Sequence, residues 1–230
     1  MKSQHHKFTK NRSIYLQKKR FSPALRYTIM QQLALFGEAG QSKGLPKQYL
    51  EYTPGVFDTS ESEILLQKFI TETPWKQTHI KIQDKEILSP RLTAWYGVAH
   101  SGYLTEKISD AHPWTDELLM IKDRIEPLTG MQFNSVLLNY YRDANDSVAW
   151  HSDKSSHPPR QTVVASVSFG QVRSFDIRNK QNHAEKYSVR LENGSLLFMK
   201  AGLQEHWEHR IAKSTKVMGP RVNLTFRLIG

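Results

Sequence analysis

The chain has 230 residues, enough for one core of medium size and too few for two full enzymatic domains. No run approaches the roughly 20 apolar residues of a membrane helix, and the absence of cysteine excludes disulfides, thiolate nucleophiles and Cys-ligated zinc. Any metal must therefore sit on histidine and carboxylate, and ten histidines are available.

The formal charge of +10 comes largely from residues 1–29, which carry eight Lys/Arg and no acid, whereas the remainder is close to neutral. Such an arm attracts phosphate backbones or anionic membrane surfaces. It also has the look of an organelle transit peptide, and with Met30 as the true start it would have no function at all. Residues 30–57 hold Gly37, Gly40, Gly44, Pro46, Pro54 and Gly55 without a sustained apolar period and read as a linker.

A helix is expected from the Asp58-Thr59-Ser60 cap region to Pro74, with Glu63 at capping-box spacing from Ser60 and Ile64, Leu65, Phe69 and Ile70 as its apolar stripe. A second runs from about Trp114 to Thr129, with Leu118, Ile121, Ile125 and Leu128 on one face and Gly130 as C-cap. From Phe133 the pattern becomes eight short apolar segments: 133–142, 147–153, 161–169, 172–178, 187–191, 195–200, 205–211 and 221–229. With Asn193-Gly194 as a tight hairpin signal, they predict a double sheet of jelly-roll or barrel type. The class is α+β, with helices early and an all-β catalytic core late.

His151-Ser152-Asp153 carries the first chemical signal. Alternation along a strand points His151 and Asp153 one way and Trp150 and Ser152 the other. One imidazole and one carboxylate on one strand face make two thirds of a facial triad that leaves iron positions open. The other histidine must come from a distant strand, and His157, His183, His206 and His209 are the downstream candidates. In the last segment the same alternation puts Arg221, Asn223, Thr225 and Arg227 on one face and Val222, Leu224 and Phe226 on the other. That polar face is either an exposed basic surface or the inside of a barrel, where two guanidinium groups can clamp a dicarboxylate.

Taken together, Asn139-Tyr140-Tyr141-Arg142-Asp143, His151-Ser152-Asp153, Ala165 to Gly170 and Pro220 to Arg227 resemble the AlkB family of alkylation-repair demethylases. Pro90 to Gly97 and Phe133-Asn134-Ser135 extend the likeness, which covers about 90–230 and leaves 1–57 outside. The resemblance implies a double-stranded β-helix (jelly-roll) core with flanking N-terminal helices over 58–230. It implies His151, Asp153 and His209 as iron(II) ligands, with His206 excluded. Arg221 would pair with the distal carboxylate of 2-oxoglutarate, and Asn139, Tyr141, Asn223 and Arg227 would complete that pocket.

The implied reaction is oxidative. An N-methyl group on a base ring has no hydrolysable bond, so iron(II), 2-oxoglutarate and O2 would hydroxylate its carbon. Succinate and CO2 would be released, and the hemiaminal would collapse to formaldehyde and the repaired base. The target base must be flipped or already single-stranded. Arg91, Tyr96 and Tyr103 fall in the segment matching the nucleotide-recognition lid, about 90–112, although Trp95 and Tyr96 also suit plain core aromatics. Arg178, Lys180 and Lys186 border a hairpin where relatives contact the nucleic-acid backbone.

One departure stands out. The family places an acid two positions after the iron-binding Asp, against the amino group of the methylated base; this chain has Ser155 there, after Lys154. That leaves an oxygenase of the same mechanism on RNA or another modified base, or a weakly active nucleic-acid-binding pseudoenzyme, as rival readings. The expected partner is DNA or RNA, for a monomer away from membranes, cytoplasmic in a bacterium or nuclear in a eukaryote. In the linker, Gln32-Leu33-Ala34-Leu35-Phe36 looks like the peptide by which bacterial repair proteins dock on the replicative sliding clamp. Its other reading is a short apolar tag packing on its own domain.

Overall fold

The computed structural model describes residues 46–82, 85–98, 111–153 and 162–229. The basic arm, most of the expected linker including the clamp-like peptide, Tyr103 and Ser155 lie outside these residues. Twelve strands are present among the described residues. They are β1 (Leu50–Thr53), β2 (His79–Ile82), β3 (Lys85–Leu88), β4 (Leu92–Gly97), β5 (Ser135–Tyr141), β6 (Val148–His151), β7 (Val164–Gly170), β8 (Arg173–Asn179), β9 (Lys186–Leu191), β10 (Ser195–Met199), β11 (Trp207–Ile211) and β12 (Arg221–Arg227). Helices α1 (Thr59–Glu72) and α2 (Asp116–Thr129) and the short α3 (Leu203–His206) complete the described part.

A major sheet runs β1-β10-β7-β12-β5-β4, a minor sheet β6-β11-β8-β9, and β2-β3 form a separate hairpin. All pairings between these strands are antiparallel, as the expected jelly roll requires. The eight segments foreseen from Phe133 onward are β5 to β12.

The outer face of the major sheet carries the first core. Val136, Leu138, Val167, Phe169, Val222, Leu224 and Phe226 meet Leu65, Leu66 and Phe69 of α1 and Leu118, Ile121 and Ile125 of α2. The two helices are tied by a two-bonded Arg124–Glu61 pair at 2.6 and 2.8 Å and by Lys68–Glu117. The second core fills the space between the sheets, from Leu50, Val164, Leu197 and Met199 on one side to Phe175, Ile177, Val189 and Leu191 on the other.

Several local expectations need correction. Residues 50–53 are not linker but an edge strand on β10, and Phe57 is buried under α1, because Leu50 and Phe57 each have a core to enter. The cap of α1 is Asp58, whose side chain accepts from the Glu61 amide at 2.8 Å, so the Ser60/Glu63 box is not used. The buried stripe is Ser62, Leu65, Leu66 and Phe69, and Ile64 is exposed. A serine occupies the leading position of that i, i+3, i+4, i+7 stripe, which hides its phase from an apolar count. In α2, Leu118, Ile121 and Ile125 are buried as expected while Leu128 is exposed; Gly130 caps the end with φ 67°.

Asn193-Gly194 does not close a two-strand ladder. β9 pairs with β8, and β10 pairs with β7 and β1, so the turn carries the chain from the minor to the major sheet. Gly194, at φ 73°, is pressed so closely on Phe57 that a Cβ would lie 2.1 Å from its carbonyl oxygen. Its amide and carbonyl bond Ser168 O and the Phe57 amide, locking turn, sheet and helix entry together.

Candidate active site

The minor sheet supplies the two histidines. In β6 and β11 His151 and His209 are direct antiparallel partners, so their side chains leave the same face of adjacent strands, with ring centroids 4.3 Å apart. Asp153, two residues beyond His151, puts Oδ1 3.6 Å from His151 Nε2 and 3.9 Å from His209 Nε2. The three ligand atoms lie within 4.8 Å of one another, and this is the His/Asp cluster among the described residues that could hold a metal. His206 stands apart, half exposed beside the Tyr49 ring.

The protonation states suit a cation. His151 Nδ1 lies 2.9 Å from Ala149 O; a proton donated there leaves the Nε2 lone pair facing Asp153. His209 is buried and stacked on Phe175 with ring centroids 4.9 Å apart. Burial, reinforced by the neighbouring His151, lowers its pKa to about 3, so the ring is neutral. For Asp153 burial alone would raise the pKa, but the Arg227 charge beside it holds the carboxyl well below its usual range. Arg227 Nη2 is 3.3 Å from Asp153 Oδ2.

The cavity beyond these ligands, about 240 Å³, is walled by the inner face of the major sheet. Every residue of β12 is buried: Val222, Leu224 and Phe226 under the helices, and Arg221, Asn223, Thr225 and Arg227 against the cavity. Arg221 is 1% exposed; its Nη2 donates to Ser168 Oγ at 3.0 Å, while Nε and Nη1 have no hydrogen-bond partner. Burial lowers its pKa to about 10, still charged at neutral pH. A buried guanidinium with two open donors is costly unless an anion completes it. Tyr141 packs on Arg221 at 5.1 Å, and Asn223 is fixed by Ser166 Oγ and Val167 O, each at 2.8 Å. These residues fit a small carboxylate ligand beside a His-Asp-His metal centre.

Asn139 also lines the cavity, and its Oδ1 accepts from Arg91 Nε at 2.7 Å. Arg91 is thus part of the cavity wall. Tyr96 is not at the site: it sits in the core beneath the helices, on the opposite face of β4 from the cavity, and burial raises its pKa. The plain core reading is the physical one, since its register partner Val136 is also core. Trp95, on the other face, packs with Leu137 and Ile229. Arg178 and Lys180 bond Glu208 and the Gln204 carbonyl, whereas Lys186 is exposed. The Arg178 and Arg210 guanidiniums each lie over the Trp150 ring, at 4.1 and 4.5 Å.

The model of the 2OG-Fe(II) oxygenase superfamily matches residues 49–227. The alpha-ketoglutarate-dependent dioxygenase alkB homolog 3 of Homo sapiens is 38% identical over 184 residues, covering 76% of this chain and 64% of that protein. The DNA oxidative demethylase ALKBH2 of Homo sapiens is 33% identical over 185 residues, covering 76% and 71%. The chain belongs to the AlkB family. For this AlkB-family chain the match begins at residue 49, so it takes in β1, ahead of the domain expected over 58–230. Its fold is shared with the solved structure of OsALKBH1, at a TM-score of 0.56 and 16% identity over 77% of this chain and 97% of that one. The AlkB-family chain spans 64% of the length of its alkB homolog 3 relatives from Bos taurus and Homo sapiens.

Sequence reasoning missed Phe175, Ser166, Ser168 and Gln204 around the site. The serines lie in an apolar run, Val164 to Phe169, where nothing but the partner strand shows that Ser166 lines the cavity and Ser168 meets Arg221.

Proposed function

We propose that the chain oxidatively demethylates alkylated bases in nucleic acid, on single-stranded or flipped bases. The observation that carries this is Arg221, buried with two open donors in the same cavity as His151, Asp153 and His209. Similarity to alkB homolog 3 and ALKBH2 supplies the substrate class.

Iron(II) on the two histidines and the aspartate, with 2-oxoglutarate and O2, supplies the oxidation of a methyl carbon, yielding succinate, CO2 and, from the hemiaminal, formaldehyde. The protein's own part is positional. Arg221 and Tyr141 hold the distal carboxylate, and Asn139, Asn223 and Thr225 give the cavity wall its hydrogen-bonding groups. Arg227 keeps Asp153 ionised and oriented, and Phe175 fixes the His209 ring.

The test is succinate formation from 2-oxoglutarate, with and without oligonucleotides bearing 1-methyladenine or 3-methylcytosine, alongside loss of the methyl group. Succinate formation that no methylated oligonucleotide stimulates would end this reading and leave the pseudoenzyme. A second reading, the same oxidation on a lesion lacking an amino group, is favoured by Ser155, which cannot offset a cationic base. Ser155→Glu should raise turnover of 1-methyladenine and 3-methylcytosine by up to about tenfold, the margin of a charge-assisted over a neutral hydrogen bond, and leave 3-methylthymine unchanged. An equal effect on all three removes the selectivity argument.

A further inference from the structure

The metal-binding carboxylate lies just past the end of its strand. β6 stops at His151, and no residue of β11 is in register with Asp153. Two side-chain bonds take over where the ladder stops. Ser152 Oγ donates to Trp207 O at 2.9 Å, and the Asp153 amide donates to Gln204 Oε1 at 2.8 Å.

Gln204 is placed for this and for little else. It lies in α3, the short helix between β10 and β11, and is 1% exposed. Its Nε2 donates to Met199 Sδ at 3.6 Å, and Lys180 Nζ donates to its backbone carbonyl at 2.7 Å. The amide is therefore oriented with oxygen toward Asp153, since the peptide N–H needs an acceptor and the thioether suits a donor.

We infer that Gln204 is a positioning residue of the metal centre, replacing a strand partner for Asp153 and fixing its carboxylate relative to His209 on the following strand. It touches neither metal nor cosubstrate; it acts through the Asp153 backbone. The inference rests on the metal reading of His151, Asp153 and His209. Outer partners of this kind are worth ten- to a hundredfold in metal affinity, and a single neutral bond puts Gln204 at the lower end.

The test uses Co2+ as a redox-stable probe, titrated calorimetrically into the full chain. Gln204→Met keeps length and burial but offers no comparable acceptor, and should weaken Co2+ binding about tenfold. Gln204→Glu keeps an acceptor oxygen and should bind as the wild type does. In an Asp153→Ala background Gln204→Met should change the residual affinity by less than about twofold, because the carboxylate it positions is gone although the backbone amide remains. Equal weakening in both backgrounds, or none in either, overturns the inference. In the unaltered, metal-free protein the Asp153 amide should be protected from hydrogen exchange, and fast exchange there overturns it without any variant. Failure of the wild type itself to bind Co2+ removes the metal reading, and this one with it.

Discussion

Arg221→Lys separates charge from geometry at the cosubstrate end. Both side chains are cationic, but only guanidinium has further N–H donors, on Nε and Nη1, that remain without a partner while Nη2 is held by Ser168. A lysine ammonium can meet a carboxylate once, at the cost of the Ser168 bond or of good alignment. Losing one charge-assisted hydrogen bond costs roughly 1.5–3 kcal/mol. At about 1.4 kcal/mol per factor of ten, 2-oxoglutarate should bind about ten- to a hundredfold more weakly. Calorimetry of 2-oxoglutarate binding to the Co2+-loaded protein measures this, and Co2+ affinity without cosubstrate serves as control. The companion variant Arg221→Met removes the buried charge and should leave the ligand-free protein no less stable in thermal melting, since an uncompensated guanidinium destabilises the empty cavity. Unchanged 2-oxoglutarate affinity in Arg221→Lys, or a matching loss of Co2+ affinity, would refute the assignment of Arg221 to the cosubstrate.

His209→Ala should abolish both Co2+ binding and turnover, whereas His206→Ala should preserve both; calorimetry decides, and the opposite pattern would exchange the two assignments. Gly194→Ala forces a Cβ into the left-handed region and against Phe57 O, so urea denaturation should show a loss of at least about 2 kcal/mol; an unchanged midpoint would mean the turn can move away from α1. The peptide Gln32 to Phe36 is proposed to dock on a replicative sliding clamp through Leu33, Leu35 and Phe36. Pull-down of a purified clamp should be lost in Leu35→Ala/Phe36→Ala, and equal retention by both proteins ends that proposal.

The legible parts of the fold were those where one residue's burial follows from its own neighbours along the chain. The alternation in β12 separated its two faces before any partner was known, although whether the polar face met solvent or the inside of a barrel stayed open; the structure buries both. His151 and Asp153 share a direction for the same reason. The illegible parts depend on distant partners. β1 is four residues whose burial comes from β10, and β4 acquires its two faces only from β5. Tyr96 lies within a lid-like motif yet points to the core, which only its register with Val136 reveals. Gln204 sits in a stretch with no periodicity, and its importance comes from Asp153, 51 residues earlier.

β6 is a four-residue edge strand of the minor sheet, whereas β12 is enclosed between β7 and β5. The two halves of the site therefore belong to parts of the molecule that open by different routes. Edge fraying can release His151 while the major sheet and the Gln204-held Asp153 stay in place, so a metal ion can be lost and replaced without unfolding. Arg221, Asn223 and Arg227 are freed only when β12 leaves both neighbours and the helices packed behind it, which amounts to dismantling the domain. The metal is the renewable component of this centre, and the cosubstrate cradle lasts as long as the folded chain.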